Sequence, residues 1–441
     1  EEGPLPLNEN RPMKNLCLAA LCIVQTARAA WHEGSETLTL QGSGTLDTHG
    51  VLQPHDLGHK APKIFVYPYG KFEEAFKAEH CEAERDLDER ENCLYGNFWS
   101  VQNEQGEKVM IRNTEQYSNG RIYYNRALSS PHRVMDPKKA DIFMIPYMWT
   151  KRKGTKCGDV GELLKNLPYL NEKNAARHFL VLPQTRGKCD FATANSGDER
   201  EAALLSQIQK LALENHGGDM PIVYPSISSG LNDTECNALL KTAKTSDRNH
   251  LVSAMFHLSK GMSTGIRTIL KKQMDGQEDC LFIDPSKATK HETHSYPKVY
   301  LHSVFSFQPS GLSISRKGMI DSLAMGCIPV FFDEKQWDLY HWHIPEWEKV
   351  SIMIKPEDHG RALKILRGMS TKRIQEYQQN VLRVMPRLFL RRDNEEGRRR
   401  TVKDAFDYAM TGIFNEGMRR SSLVNVSRSQ DSNSELHELD I

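Results

Sequence analysis

A chain of 441 residues with 39% hydrophobic and 26% charged residues has the balance of a soluble globular protein, long enough for two or three domains. A formal net charge of +1 argues against nucleic acid or an anionic membrane surface as partner.

Residues 1–12 are polar and Pro-rich. Met13-Lys14-Asn15, the apolar run 16–24 and Ala27-Arg28-Ala29 read in order as a basic start, a short apolar core and a small-residue cleavage site: a secretory signal. The run is short for a bilayer span. A signal anchor is the second reading, and membrane association is expected only through it. Residues 31–60 are rich in Gly, Ser and Thr and read as a stem. The expected division is therefore 1–30 leader, 31–60 stem, 61–248 first folded domain, 249–416 second folded domain, and 417–441 a Ser- and Asn-rich disordered tail.

Beyond the leader lie Cys81, Cys93, Cys157, Cys189, Cys236, Cys280 and Cys327. An odd number leaves at least one unpaired, and Cys327, inside an apolar run, is the candidate free thiol. Cys81 with Cys93 and Cys157 with Cys189 are candidate bridges. Neither C-x-x-C nor H-E-x-x-H occurs, so no protein-bound metal is expected. Asn232-Asp233-Thr234 and Asn425-Val426-Ser427 match the N-glycosylation pattern.

In the first domain the apolar runs predict strands at 64–67, 141–146, 178–182 and 221–225. Helices are predicted at 116–128 and 200–213, with an amphipathic segment at 72–76. Such alternation implies a mostly parallel, doubly wound α/β sheet. The second domain is expected to hold strands at 252–256, 304–307, 327–332 and 350–354. Its helices are expected at 264–273, 315–325, 356–388 and 401–414, with a solvated charged connection at 391–400.

The stretch 303–332, SVFSFQPSGLSISRKGMIDSLAMGCIPVFF, is a strand–loop–helix–strand crossover unit. Gln308-Pro309-Ser310-Gly311 break the first strand. Met319, Ile320, Leu323 and Ala324 share one helical stripe, and Gly326 stands at the helix stop. The loop meets a helix N-terminus, whose free amides and partial positive charge suit a phosphate or diphosphate. Ser310, Gly311, Ser313 and Ser315 can add small donors and Arg316 a fixed cation. The loop is neither a Walker loop nor a dinucleotide fingerprint. The plain alternative is a strand–helix turn capped by Ser315.

These residues resemble the C-terminal signature of the exostosin-like glycosyltransferases, glycosyltransferase family 47, and within it the plant xyloglucan galactosyltransferases. The resemblance rests on Gln308-Pro309, Gly311, Ser313, Arg316, Asp321-Ser322, the run 326–332 and Tyr340-His341-Trp342-His343-Ile344-Pro345. It extends in order through Lys63, Tyr123-Tyr124, Ser130-Pro131, Asp136-Pro137, His178-Phe179, Asp190-Phe191, Tyr224-Pro225 and Gly265-Ile266-Arg267, covering roughly 63–408. Three departures stand out. Leu312 replaces an Asp, Ser306 replaces a Cys, and the family's A-G-x-x-R loop survives only as the degenerate stretch 257–261, where Lys260 can replace the arginine.

The resemblance implies a GT-B fold, two facing doubly wound Rossmann-like domains, each with a mostly parallel sheet. It implies an inverting transfer from a UDP-sugar, galactose-type favoured, to a glycan or polysaccharide hydroxyl in the Golgi lumen or secretory pathway. The UDP-sugar is substrate, and no cofactor or metal is expected. Arg316 and Arg267 would hold the donor diphosphate, the alternative for each being a helix-surface arginine. Asp321 would contact the nucleotide ribose; its alternative is a helical pair with Lys317. His178 and Asp190 are candidates for acceptor-side polar or base roles, although His178 also suits a hydrogen-bonded strand start. Trp342 and His343 would shape the sugar pocket or fill a core. A second function class stays open: an inactive member that binds glycans or scaffolds a transferase complex. A hydrolase lacks its G-x-S-x-G motif.

Overall fold

The computed structural model describes residues 61–68, 87–102, 106, 108–148, 167–182, 199–215, 220–258, 264–287, 296–392 and 402–437. The leader, the stem, the segment 72–76, Cys81, Cys157, Cys189, Asp190 and Lys260 lie outside these residues. Among the described residues no helix is long and apolar enough to cross a membrane.

The first half runs β1 (Ile64–Val66), α1 (Leu87–Tyr95), β2 (Phe98–Gln102), β3 (Lys108–Arg112), α2 (Asn119–Ser129), β4 (Ile142–Met148), β5 (His178–Leu182), α3 (Glu199–Ser206), β6 (Gln209–Ala212) and β7 (Met220–Pro221). The second half opens with α4 (Asp233–Thr245), β8 (His250–Met255), α5 (Thr264–Met274), β9 (Cys280–Ile283), α6 (Tyr296–Leu301), β10 (Ser303–Phe307), α7 (Lys317–Ala324) and β11 (Ile328–Phe331). It closes with α8 (Trp347–Val350), β12 (Ile352–Met353), α9 (Ala362–Arg367), α10 (Thr371–Val384) and α11 (Ala405–His437).

Two five-stranded sheets result, ordered β1-β4-β5-β6-β7 and β12-β11-β10-β8-β9, with every pair parallel. These are the mostly parallel α/β sheets, two in number, that the sequence implies. The apolar runs become strands buried on both faces, as parallel sheets require: all of β5, β10 and β11 is buried. In the second sheet the order reverses between β8 and β10, the topological switch point where such sheets bind ligands.

Several expectations need correction. The helix expected over 200–213 stops at Ser206, and 209–212 is strand β6. There the Gln209 side chain donates to the carbonyls of Ala176 and Ile413, and Leu211 is sealed in the core, so sheet pairing overrides helical periodicity. The structure adds strand β9, whose run 280–283 is apolar, and the hairpin β2–β3, neither of which is among the expected strands. The strand expected at 221–225 shortens to β7 because Pro221 and Pro225 lack ladder amides. Val350 ends α8 rather than opening β12. The long helix over 356–388 breaks at Gly368, and the Ser370 side chain caps α10 by accepting from the Arg373 amide.

The described start of the connection expected to be solvated is anchored in the interior. Arg391 is 1% exposed, and its guanidinium donates to Asp233 at 2.9 Å. Asp404, fully buried, accepts from both Arg126 terminal nitrogens (3.0 and 3.1 Å), from the Arg391 amide, and from the amides of Phe406 and Asp407 that start α11. From that cap α11 runs to His437, so residues 417–437 are helical where a disordered tail was expected. Gly417 lets the helix lie against β5's approach, because a Cβ there would stand 2.8 Å from the Ala176 oxygen. Glu416 pairs with Arg419 and Arg420 one turn on.

Behind the second sheet, buried Arg248 donates to five carbonyls: Ala243, Tyr300, Leu301, Ser303 and Met325. It thereby closes the C-termini of α4, α6 and α7, whose orphan carbonyls would otherwise be buried unsatisfied. Gly326, at φ +69°, provides the expected helix stop; a Cβ there would lie 2.7 Å from Arg248 Nη2.

Cys327 is a free buried thiol as expected, Cys236 and Cys280 are also free, and Cys93 is disulfide-bonded to a partner outside the described residues. Asn232 is the cap of α4. Its side chain accepts from the Glu235 amide, the Glu235 carboxylate accepts the Asn232 amide, and Asn232 is 5% exposed. A glycan on Asn232 Nδ2 would have to leave from a side chain that is almost wholly enclosed. Thr234→Ala should therefore leave the glycan mass unchanged in protein secreted from eukaryotic cells, as read by intact mass spectrometry. The side chain of Asn425 lies outside the described residues.

Candidate functional site

At the switch point two arginines converge. Arg316 holds the cap position of α7 with extended backbone, φ −150° and ψ 138°. Its side chain turns back across the crevice: Nη2 donates to the Met255 carbonyl ending β8 (2.7 Å), and Nη1 to the Pro309 carbonyl after β10 (3.0 Å). Arg267, in the first turns of α5, arrives from the other side. Its Nη1 donates to the His257 carbonyl (2.9 Å) and its Nη2 to the Ser310 carbonyl (3.1 Å). Gly311 makes this approach possible, since a Cβ there would lie 3.0 Å from Arg267 Nη2.

Both guanidiniums remain cationic near neutral pH. Burial first, then the neighbouring Arg267 charge, pushes Arg316 down to about 10, and burial lowers Arg267. Among the described residues neither has a carboxylate within ion-pair distance, and Arg267 Nε is buried without a partner. Two facing cations at a strand end, backed by a helix N-terminus, are arranged for an anion.

The small donors of the loop are mostly engaged within it. Gly311 N donates to the Ser313 carbonyl and Ser313 Oγ to the Ser315 carbonyl. Ser310 Oγ donates to Asp333 Oδ2 at 3.4 Å. Ser315 does not cap α7. Its amide donates to Glu214 Oε1 at 2.6 Å, and its hydroxyl meets the Tyr224 hydroxyl at 3.0 Å.

Asp321 is 2% exposed. Lys317 Nζ donates to both of its oxygens (2.9 and 2.7 Å), and the Ile227 amide donates to Oδ1 at 3.0 Å. Burial raises its pKa, and Lys317 works against that shift. The helical pair is thus present, and the carboxylate ties α7 to the first domain instead of facing an open ribose pocket.

His178 does not stand in a cleft. It is fully buried, its Nε2 is 2.7 Å from the Tyr67 hydroxyl and its Nδ1 2.9 Å from the Asn174 carbonyl, and its ring stacks on Phe143 at 4.5 Å. Burial pushes its pKa to about 4. A neutral ring with both nitrogens engaged cannot serve an acceptor, so the base role is withdrawn. His343 is a core residue, fully buried and pushed to about 3 by burial, whereas Trp342 is half-buried and packs against the core, its ring abutting Gly412.

Glu214 lies just past the end of the expected helix and has no place among the expected site residues; Tyr340, quoted above only as part of the family resemblance, has a φ of +60°, the only positive value at a described non-glycine residue. Tyr340 OH donates to the Leu213 carbonyl at 3.2 Å. No local pattern marks Glu214, and the motif that contains Tyr340 does not foretell its contact with Leu213.

Residues 58–369 match the exostosin GT47 domain. A probable xyloglucan galactosyltransferase of Arabidopsis thaliana is 28% identical over 286 residues, 58% of this chain and 58% of that protein. A xyloglucan-specific galacturonosyltransferase of the same plant is 26% identical over 331 residues, covering 68% of this chain and 49% of that protein. A xyloglucan galactosyltransferase of that plant is 23% identical over 329 residues, covering 68% and 63%. The chain thus spans 49–63% of the length of these relatives. Among solved structures, sucrose-phosphate synthase from Thermosynechococcus elongatus aligns over 82% of this chain and 100% of that chain, at 10% identity and a TM-score of 0.31.

Proposed function

Since the chain belongs to the exostosin GT47 family, we propose that it transfers a sugar, galactose-type favoured, from a UDP-sugar to a hydroxyl of a xyloglucan-like polysaccharide, with inversion. One observation carries this reading: Arg267 and Arg316 face the switch-point crevice without a carboxylate among the described residues. In the transfer the acceptor oxygen bonds to the anomeric carbon from the face opposite the diphosphate. The anomeric carbon–oxygen bond breaks, UDP departs with the electron pair, and the hydroxyl proton passes to a base. Asp190 is the remaining acceptor-side candidate for that base. Fixed cations at the departing diphosphate stabilise charge as it develops. Arg267 and Arg316 supply this role without a resident cofactor. The names of the relatives support the xyloglucan acceptor, and the disulfide at Cys93 supports an oxidising lumen such as the Golgi.

The test is thermal unfolding of the purified chain with a panel of UDP-sugars, followed by transfer to xyloglucan oligosaccharides. A donor at a hundred times its dissociation constant should stabilise the protein by about 2.7 kcal/mol. Stabilisation by one UDP-sugar together with product formation supports the transferase. Stabilisation without transfer to any glycan points to a binding module instead, and no shift with any nucleotide sinks the donor reading.

A further inference from the structure

The loop that carries Arg316 is held from the other domain. Glu214, at the carboxyl end of β6 and 3% exposed, accepts the Ser315 amide at 2.6 Å, and Ser315 immediately precedes Arg316. Such a short bond to a carboxylate is charge-assisted and stronger than a neutral one. Tyr224 OH holds the Ser315 hydroxyl at 3.0 Å, so both polar groups of Ser315 that face the first domain are tied.

The position of Glu214 is in turn enforced. Tyr340 OH donates to the carbonyl of Leu213, the residue before it. To do so Tyr340 adopts φ +60°, a costly backbone state for a bulky residue that persists only where its surroundings over-determine it. On the far side of Arg316, Asp321 accepts the Ile227 amide. Residues of the first domain therefore grip the chain on both sides of the arginine.

We propose that Glu214 is a positioning residue for the donor site: acting through Ser315, it holds the Arg316 guanidinium in the crevice between β8 and β10, so that the first domain sets the affinity of the second for the diphosphate. This rests on the donor reading given above. It requires only that Glu214 accept a hydrogen bond and not that it take a proton.

The experiment measures UDP binding by calorimetry, and donor and acceptor KM and kcat, on the full chain. Glu214→Ala is expected to raise the UDP dissociation constant and the donor KM about tenfold, with acceptor KM unchanged. Glu214→Gln still offers an oxygen to the Ser315 amide and should recover most of that loss, to within about threefold of the unaltered protein. Tyr224→Phe, a smaller change, should weaken UDP about threefold and carries the test if Glu214→Ala does not fold. A folded Glu214→Ala with unchanged UDP affinity overturns the proposal. So does a Glu214→Gln that binds UDP normally but loses turnover about a hundredfold or more, since that is the signature of a proton-accepting group. If the unaltered chain binds no UDP, the donor reading itself fails and this inference falls with it.

Discussion

Arg316→Ala is expected to abolish stabilisation by UDP-sugars and to lower kcat/KM by about a hundredfold or more, the scale of losing one preorganised donor at a developing charge. The side chain that would be lost spans the crevice from the Met255 carbonyl to the Pro309 carbonyl, so it is fixed before any ligand arrives. Arg316→Lys should recover only part of the loss, because an ammonium is a point charge without the planar fork. Arg267→Ala should act in the same direction. Its guanidinium is held on the opposite wall by the His257 and Ser310 carbonyls. Thermal shifts with and without UDP separate binding from folding: the ligand-free midpoint reports the fold and the increment reports the site. An increment in Arg316→Ala equal to that of the unaltered protein would remove the diphosphate assignment.

Asp404→Ala should destabilise the chain by about 3–5 kcal/mol, the usual result of removing one partner from a buried ion pair. The carboxylate is fully buried and faces the Arg126 guanidinium in a two-bond fork while receiving three backbone amides. Its loss leaves the Arg126 charge buried and α11 without its cap. Arg126 also donates to the Arg391 carbonyl, so α2 of the first domain and the returning C-terminal segment loosen together. Urea unfolding read by tryptophan fluorescence measures the change. The double variant Arg126→Met with Asp404→Ala should be more stable than Asp404→Ala alone, since no stranded charge remains. A loss below about 1 kcal/mol for Asp404→Ala would show that this junction is solvated.

The parts of the fold that are legible in the sequence are those set by short-range pattern. The runs that became β1, β4, β5, β8, β10 and β11 are apolar, bounded by Gly and Pro, and separated by helical periodicity, so strand, helix and parallel order can be read in place. The crossover unit that brings Arg316 to a strand end was visible for the same reason, as was the stop at Gly326. The two arginines could be named from the sequence, and the family signature around them pointed to a diphosphate.

What the sequence did not contain is who meets whom. Arg267 and Arg316 are far apart in the chain, and only the reversal of strand order between β8 and β10 sets them on facing walls. His178 looked like a polar candidate until packing against Phe143 and Tyr67 closed it in. Asp321 looked like a ribose contact until Lys317 and the Ile227 amide took its oxygens. Glu214 carried no signal because it follows β6, a strand set by pairing with β5 rather than by a local pattern. By itself, then, the sequence determined the alternation of elements and the cation-bearing loop, because propensity, periodicity and turn chemistry act within a few residues. Only the tertiary structure decided burial, pairing and the grip of one domain on the other, because desolvation and hydrogen-bond partners depend on contacts between residues distant in the chain.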